Sequence, residues 1–182
     1  MWIYVVIAVI IIIVIYAIVL FNSFANLDNK AKEAFSTMDI YLKKRWDLVP
    51  NLVEVVKAYA KHEKNTLEEI TKLRGNTYDD MSNDEKIKTN LELNRDIDKI
   101  MLLVEAYPEL QASDNFKDLS DKLVKIEDDI ANSRKYYNGT VRIFNNKVEM
   151  FPNNIFAKIF GYKSRPMFEA KISERENVDV KV

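Results

Sequence analysis

One histidine and a complete lack of cysteine set the chemistry open to this chain. Without cysteine there is no thiolate nucleophile, no disulfide and no zinc-finger-type site. His62-Glu63 opens like the HExxH zinc motif, but the position of the second histidine holds Thr66, so zinc protease chemistry is unsupported. A Ser-His-Asp triad would have to run through His62 alone. The carboxylate pairs Glu68-Glu69, Asp79-Asp80 and Asp128-Asp129 are sequence neighbours. On a helix such neighbours diverge by about 100° and do not converge on one ion. Neither GxxxxGK[ST] nor GxGxxG occurs, so no phosphate cradle is signalled. No catalytic residue, cofactor or metal is expected, and the chain reads as a non-enzyme. A net charge of −1 gives no basic field for nucleic acid, and no nucleic-acid partner is expected.

Three groups of side chains remain as interaction candidates. Lys43-Lys44-Arg45 carries the charge to meet anionic headgroups, but a solvated helix face or inter-helix ion pairs is the preferred reading. Arg45, Trp46 and Asp47, with Pro50 and Asn51 just beyond, could form a polar cluster with Arg134, Tyr137 and Asn138. Such a cluster either fixes helix register or presents a surface to a partner. Tyr136, Ile143 and Met150 repeat every seven residues beside a main apolar stripe. They either widen a buried stripe or form a packing face for another copy.

The elements that must carry these residues are helical. Only three glycines occur, and the apolar residues recur in steps of three and four. The first such pattern runs from Phe24 to Val49, where Pro50 predicts a kink or restart. A second runs from Asn51 to Arg74, with Gly75 at the C-cap position and residues 75–81 as a loop. Ser82 and Glu85 form a capping-box signature opening a third helix that ends near Tyr107-Pro108. Ser113 predicts the cap of a fourth, whose apolar stripe runs Phe116, Leu119, Leu123, Ile126, Ile130, Tyr137, Val141, Phe144, Val148 and Phe151. Pro152 stops it, Asn153-Asn154 offers a cap, and a short amphipathic piece, Ile155 to Phe160, ends at Gly161. Residues 169–182 lack a long apolar period and are expected to be poorly ordered.

Ahead of all this lies Trp2 to Phe21, about 20 apolar residues without a charge, enough for a helix of roughly 30 Å that matches a bilayer core. Ser23-Phe24-Ala25 resembles a signal-peptidase site, but no basic n-region precedes the run and its core is too long, so a retained anchor is preferred. Trp2, Tyr4 and Tyr16 are the amphipathic aromatics expected near headgroups, and Phe21 closes the span. No GxxxG-like face is present. Lys30 and Lys32 follow the span and no basic residue precedes it. The positive-inside rule therefore predicts a cytoplasmic helical domain and an external N-terminus. The expected division is a transmembrane anchor over 1–21, a helical bundle over 22–168 and a tail over 169–182. The expected fold is all-α, an anchor helix followed by an antiparallel three- to four-helix bundle.

Longer motifs carry a resemblance. Residues 41–53 read YLKKRWDLVPNLV, followed by Tyr59-Ala60-Lys61-His62-Glu63, Glu105-Ala106-Tyr107-Pro108-Glu109-Leu110 and Ser133-Arg134-Lys135-Tyr136-Tyr137-Asn138. Val141, Phe144, Asn145, Phe151-Pro152 and Tyr162-Lys163…Phe168-Glu169-Ala170 continue the order. The chain resembles the LemA family over most of residues 22–170. That resemblance implies a bacterial membrane protein with a short external N-terminus, one transmembrane helix and a cytoplasmic helical domain. It supplies no catalytic residues, and a relative that takes part in magnetosome membrane formation points to membrane organisation. The expected function is a single-pass inner-membrane scaffold that self-assembles, with the lipid bilayer and a second copy as partners. The rival reading is a monomeric adaptor or sensor for another envelope protein, and the least favoured is an enzyme of unknown reaction.

Overall fold

The computed structural model describes residues 1–63, 67–68, 70 and 77–168. The fold is all-α, with no strand among the described residues. Helix α1 spans Trp2–Tyr59, α2 Asn83–Glu105, α3 Pro108–Ala112, α4 Asp114–Glu149 and α5 Asn153–Phe160. Short 3₁₀ turns occupy Lys61–Glu63 and Tyr78–Asp80.

The apolar run and the first amphipathic pattern form one helix of 58 residues. Of the kink or restart expected at Pro50, the restart does not occur: the helix runs through the proline. An interior proline costs about 3 kcal/mol. Around it Trp46, Val49, Leu52, Val53 and Val56 are all buried. Each such side chain contributes about 1.5–3 kcal/mol, so packing outweighs the lost hydrogen bond. The helix predicted over 51–74 is instead interrupted after Tyr59, where the Glu63 amide bonds the Ala60 carbonyl in a tighter turn. Leu67 and Ile70 are again helical and buried. The expected C-cap at Gly75 and the tail 169–182 lie outside the described residues.

The caps read from sequence form at the N-termini of α2 and α4. The Ser82 amide donates to Glu85 Oε2 at 2.7 Å, and the Glu85 amide donates to Ser82 Oγ at 3.3 Å. The hydrogen bonds from Ser82 hold the Glu85 carboxyl below its ordinary pKa. The Phe116 amide donates to Ser113 Oγ at 3.2 Å, starting α4. Between them α3 opens with Pro108 in its first turn, a position that needs no N–H donor. α5 begins after Pro152 without a side-chain cap, so Asn153 and Asn154 do not play the capping part expected of them. It ends at Gly161 with φ 79°, a left-handed conformation suited to glycine.

The residues group into two compact units. One comprises Met1–Glu33 and Tyr136–Val182; the other comprises Ala34–Lys135. The core of the first is Leu20, Phe24, Phe144, Val148 and Ala157, flanked by Leu27, Phe156, Phe160 and Tyr162. The core of the second is drawn from α1 (Met38, Leu42, Val49, Leu52, Val56), α2 (Leu93, Ile97, Ile100, Val104) and α4 (Phe116, Leu123, Ile130). Residues 1–16 are exposed throughout. Their helix is the one described helix long and apolar enough to cross a membrane.

Candidate functional site

In the second unit Arg45 is the largest fully buried side chain. α1 presents it between α2 and α4. Its Nη1 donates to Glu127 Oε1 at 2.6 Å and to Asn94 Oδ1 at 2.7 Å, while Nη2 donates to the Asn90 carbonyl at 3.2 Å. Burial pulls the guanidinium pKa down, and Glu127 opposes that shift. A guanidinium is not deprotonated in proteins, so the side chain remains a cation. The site is therefore a buried, compensated cation that joins three helices.

Beside it Trp46 and Tyr78 lie with ring centroids 5.7 Å apart. The Tyr78 hydroxyl donates to Asp39 Oδ1 at 2.6 Å, and Lys86 Nζ bonds Asp39 Oδ2 at 2.7 Å. Lys86 and Lys43 also approach the Tyr78 ring face, at 4.8 and 5.6 Å. Burial, and then the bond to Asp39, push the phenol well above the ordinary range of tyrosine. A phenol so held is a structural donor, not an acid poised for proton transfer.

The sequence expectation of one cluster from Arg45, Trp46, Asp47, Arg134, Tyr137 and Asn138 divides in the structure. Arg45 and Trp46 are buried, Pro50 is half-buried, and Asp47 and Asn51 are exposed. Asp47 and Asn51 line an open groove of about 460 Å³ with Lys44, Leu48, Lys125 and Asp129. Arg134 is half-buried and adds repulsion at Arg45. Lys43 pairs with Asp79 at 3.3 Å, and Lys44 lies over the Tyr41 ring at 5.2 Å.

Tyr137 and Asn138 act in the first unit, on the segment 162–168. Asn138 accepts from the Phe168 amide at 2.9 Å and donates to the Phe168 carbonyl at 2.8 Å. One helical heptad on, Asn145 does the same to Arg165, at 2.8 and 2.9 Å. Tyr137 donates to the Pro166 carbonyl at 3.0 Å. At Arg165 and Phe168 the segment thus receives from asparagine amides the paired N–H and C=O bonds that a neighbouring strand would give. Arg165 then reaches Asp28 Oδ1 at 2.6 Å, and Lys32 reaches Asp28 Oδ2 at 2.8 Å.

Sequence reasoning missed Asn90, Asn94 and Glu127. The signal was present: Asn90 and Asn94 continue the Leu93, Ile97, Ile100 stripe, and Glu127 sits between Leu123 and Ile130. A polar residue on an apolar stripe marks a buried partner. Tyr78 was hidden in a segment read as loop. Tyr136, Ile143 and Met150 are 60%, 57% and 62% exposed, which removes the reading of a stripe buried within the bundle. His62 is exposed, and no group of three potential metal ligands occurs among the described residues.

A profile of the LemA family matches residues 34–182, which include the Arg45 network and both asparagine clamps. The chain belongs to the LemA family. Protein LemA of Metamycoplasma hominis is 28% identical over 163 residues, covering 87% of this chain and 73% of its own. Magnetosome protein MamQ 2 of Paramagnetospirillum magneticum is 36% identical over 73 residues. Magnetosome protein MamQ of Magnetospirillum gryphiswaldense is 33% identical over the same length. The chain spans 27% of the length of these MamQ proteins, and the match takes in 40% of the chain. LemA membership and one helix able to cross a membrane make this a membrane-associated helical protein.

Proposed function

We propose that this LemA protein is a retained single-pass membrane scaffold, non-enzymatic, that self-assembles at the bilayer surface through α4. The observation that carries the reading is the exposed pair Tyr136 and Ile143, two large apolar side chains one heptad apart on α4, with Met150 continuing the spacing just past its end. Heptad spacing is the repeat by which helices of two copies pack at a shallow angle. Burying such side chains is worth about 1.5–3 kcal/mol each, a useful increment for copies already concentrated on a membrane.

Retention of the anchor has its own support. Cleavage after Ala25 would remove Leu20 and Phe24 from the core of the first unit, and Ser23 from its bond with Lys147. A cytoplasmic domain in an inner membrane is supported by Lys30 and Lys32, and by exposed Lys158 on a helix packed against Tyr16 and Phe21. The groove beside Asp47 and Asn51 favours the second reading, an adaptor for another envelope protein. The two are separated by the mass of the detergent-extracted full chain: a discrete homo-oligomer supports the scaffold, a monomer the adaptor.

A further inference from the structure

We infer that the tip between α4 and α5 is a membrane wedge, inserted beside the anchor into the same leaflet from which the helical domain emerges. The inference rests on reading residues 2–21 as a retained span, but not on self-assembly.

The tip's level is fixed by contacts along α1. Lys147 on α4 bonds Ser23. Past the turn, Asn153 Oδ1 accepts from the Tyr16 hydroxyl at 3.3 Å, and Phe156 meets the Tyr16 ring edge-on at 5.7 Å. Phe160 then meets Phe21 at 5.2 Å and Phe24 at 6.5 Å. α4 therefore descends along α1 from the level of Ser23 toward that of Tyr16, and α5 climbs back to Phe24. Tyr16 lies five residues inside Phe21, about 7.5 Å into the apolar span. The turn reaches about that depth.

What the tip presents at that depth is apolar. Met150 and Phe151 are 62% and 79% exposed, and Ile155 and Ile159 on the outer face of α5 are 50% and 71% exposed. The inner face of the same helix is spent on the core through Phe156, Ala157 and Phe160. A turn in hydrocarbon must satisfy its own backbone. Here the Met150 amide donates to the Asn146 carbonyl, the Asn154 amide to the Met150 carbonyl and the Ile155 amide to the Pro152 carbonyl. Pro152 has no N–H. The flanking charges sit on the climbing side or are engaged: Ser164 donates to Glu149 at 2.7 Å, and Lys158 has a stem long enough to snorkel to headgroups. The occupant that fits is lipid, because the patch is continuous with the exposed apolar surface of the anchor at Tyr16 and Phe21.

The test uses the absence of native cysteine. Full chains carrying F151C, I155C, I159C, I12C or L102C are labelled with an environment-sensitive fluorophore. They are reconstituted at high lipid excess in phosphatidylcholine–phosphatidylglycerol vesicles containing nitroxide lipids of graded depth. The wedge predicts quenching by shallow nitroxides at 151, 155 and 159 at least about twofold above that at 102, with 151 the deepest and 159 the shallowest. Aqueous iodide reaching 151 and 159 as freely as 102 overturns it. So does shielding that disappears as lipid excess grows, which marks a second copy as the occupant. The label at 12 reports the span itself: if it is quenched by deep nitroxides while 151 is quenched by nitroxides at no depth, the wedge fails and the anchor stands; if 12 is not quenched, both fail.

Discussion

Arg45 Nη1 lies 2.6 Å from Glu127 Oε1, and the arginine side chain is fully buried while the carboxylate keeps an edge to solvent. The pair ties α1 to α4 at the point where α2 supplies Asn94 and the Asn90 carbonyl. Removing the carboxylate leaves a buried cation with only neutral acceptors. Glu127→Ala is expected to destabilise the chain by about 3 kcal/mol, the scale for breaking a buried pair from one side. Arg45→Met with Glu127→Leu is expected to recover most of that loss, because no charge is stranded. Urea denaturation of the single and double variants measures both; equal stability of wild type and Glu127→Ala contradicts the network.

Tyr78→Phe removes one hydroxyl while leaving the ring against Trp46 and under Lys86. Asp39 keeps its bond to Lys86. The expected loss is about 1 kcal/mol, the net value of one hydrogen bond. An alkaline absorbance titration supplies a second check, since Tyr78 is held protonated beyond the ordinary tyrosine range and its substitution should leave the exposed-tyrosine step unchanged.

The two asparagine clamps predict an isosteric effect. Asn138→Asp keeps the acceptor for the Phe168 amide but replaces the donor facing the Phe168 carbonyl with a repelling oxygen. A loss of about 1–3 kcal/mol in local stability is expected. Hydrogen exchange of the amides at 165 and 168 reads it directly. Asn145→Asp should act first at 165 and Asn138→Asp first at 168; unchanged exchange at both positions contradicts the clamps.

Asp28 contributes a pH dependence to the first unit. Burial alone would raise its carboxyl pKa, but hydrogen bonds from Lys32 and Arg165, with their charge, hold it below the ordinary 3.8. A depressed carboxyl contributes stability that is complete above its unfolded pKa and is lost as pH falls through the folded one. The stability gap between wild type and Asp28→Asn should therefore be constant near neutrality and close below about pH 3.8. Denaturation midpoints of the two proteins, followed downward in pH, check the sign; a gap that widens with acid contradicts it.

How far the sequence carried the account depends on residue type. Caps at Ser82 and Ser113, the stop at Pro152 and the closure at Gly161 were legible, because each rests on local backbone chemistry. The continuity of α1 through Pro50 was not, because a tertiary core overrides a local propensity. Arg45 was visible as a candidate but its partners were not. Charge pairing across helices is decided by which faces meet, and spacing along one helix does not encode that. Asn138 was visible as a cluster candidate and Asn145 only as a family position, but the partners of both were not legible, since they are backbone atoms of a segment without regular secondary structure.

The claim that most depends on measurement is self-assembly through α4. Static light scattering on the detergent-extracted full chain, wild type beside Ile143→Glu, addresses it, with circular dichroism as the control for folding. Ile143 is exposed, so the substitution leaves the core intact. The account predicts a discrete multiple of 21.3 kDa for the wild type and a shift toward 21.3 kDa for the variant at unchanged helicity. A wild-type protein that stays at the monomer mass in every mild detergent contradicts it.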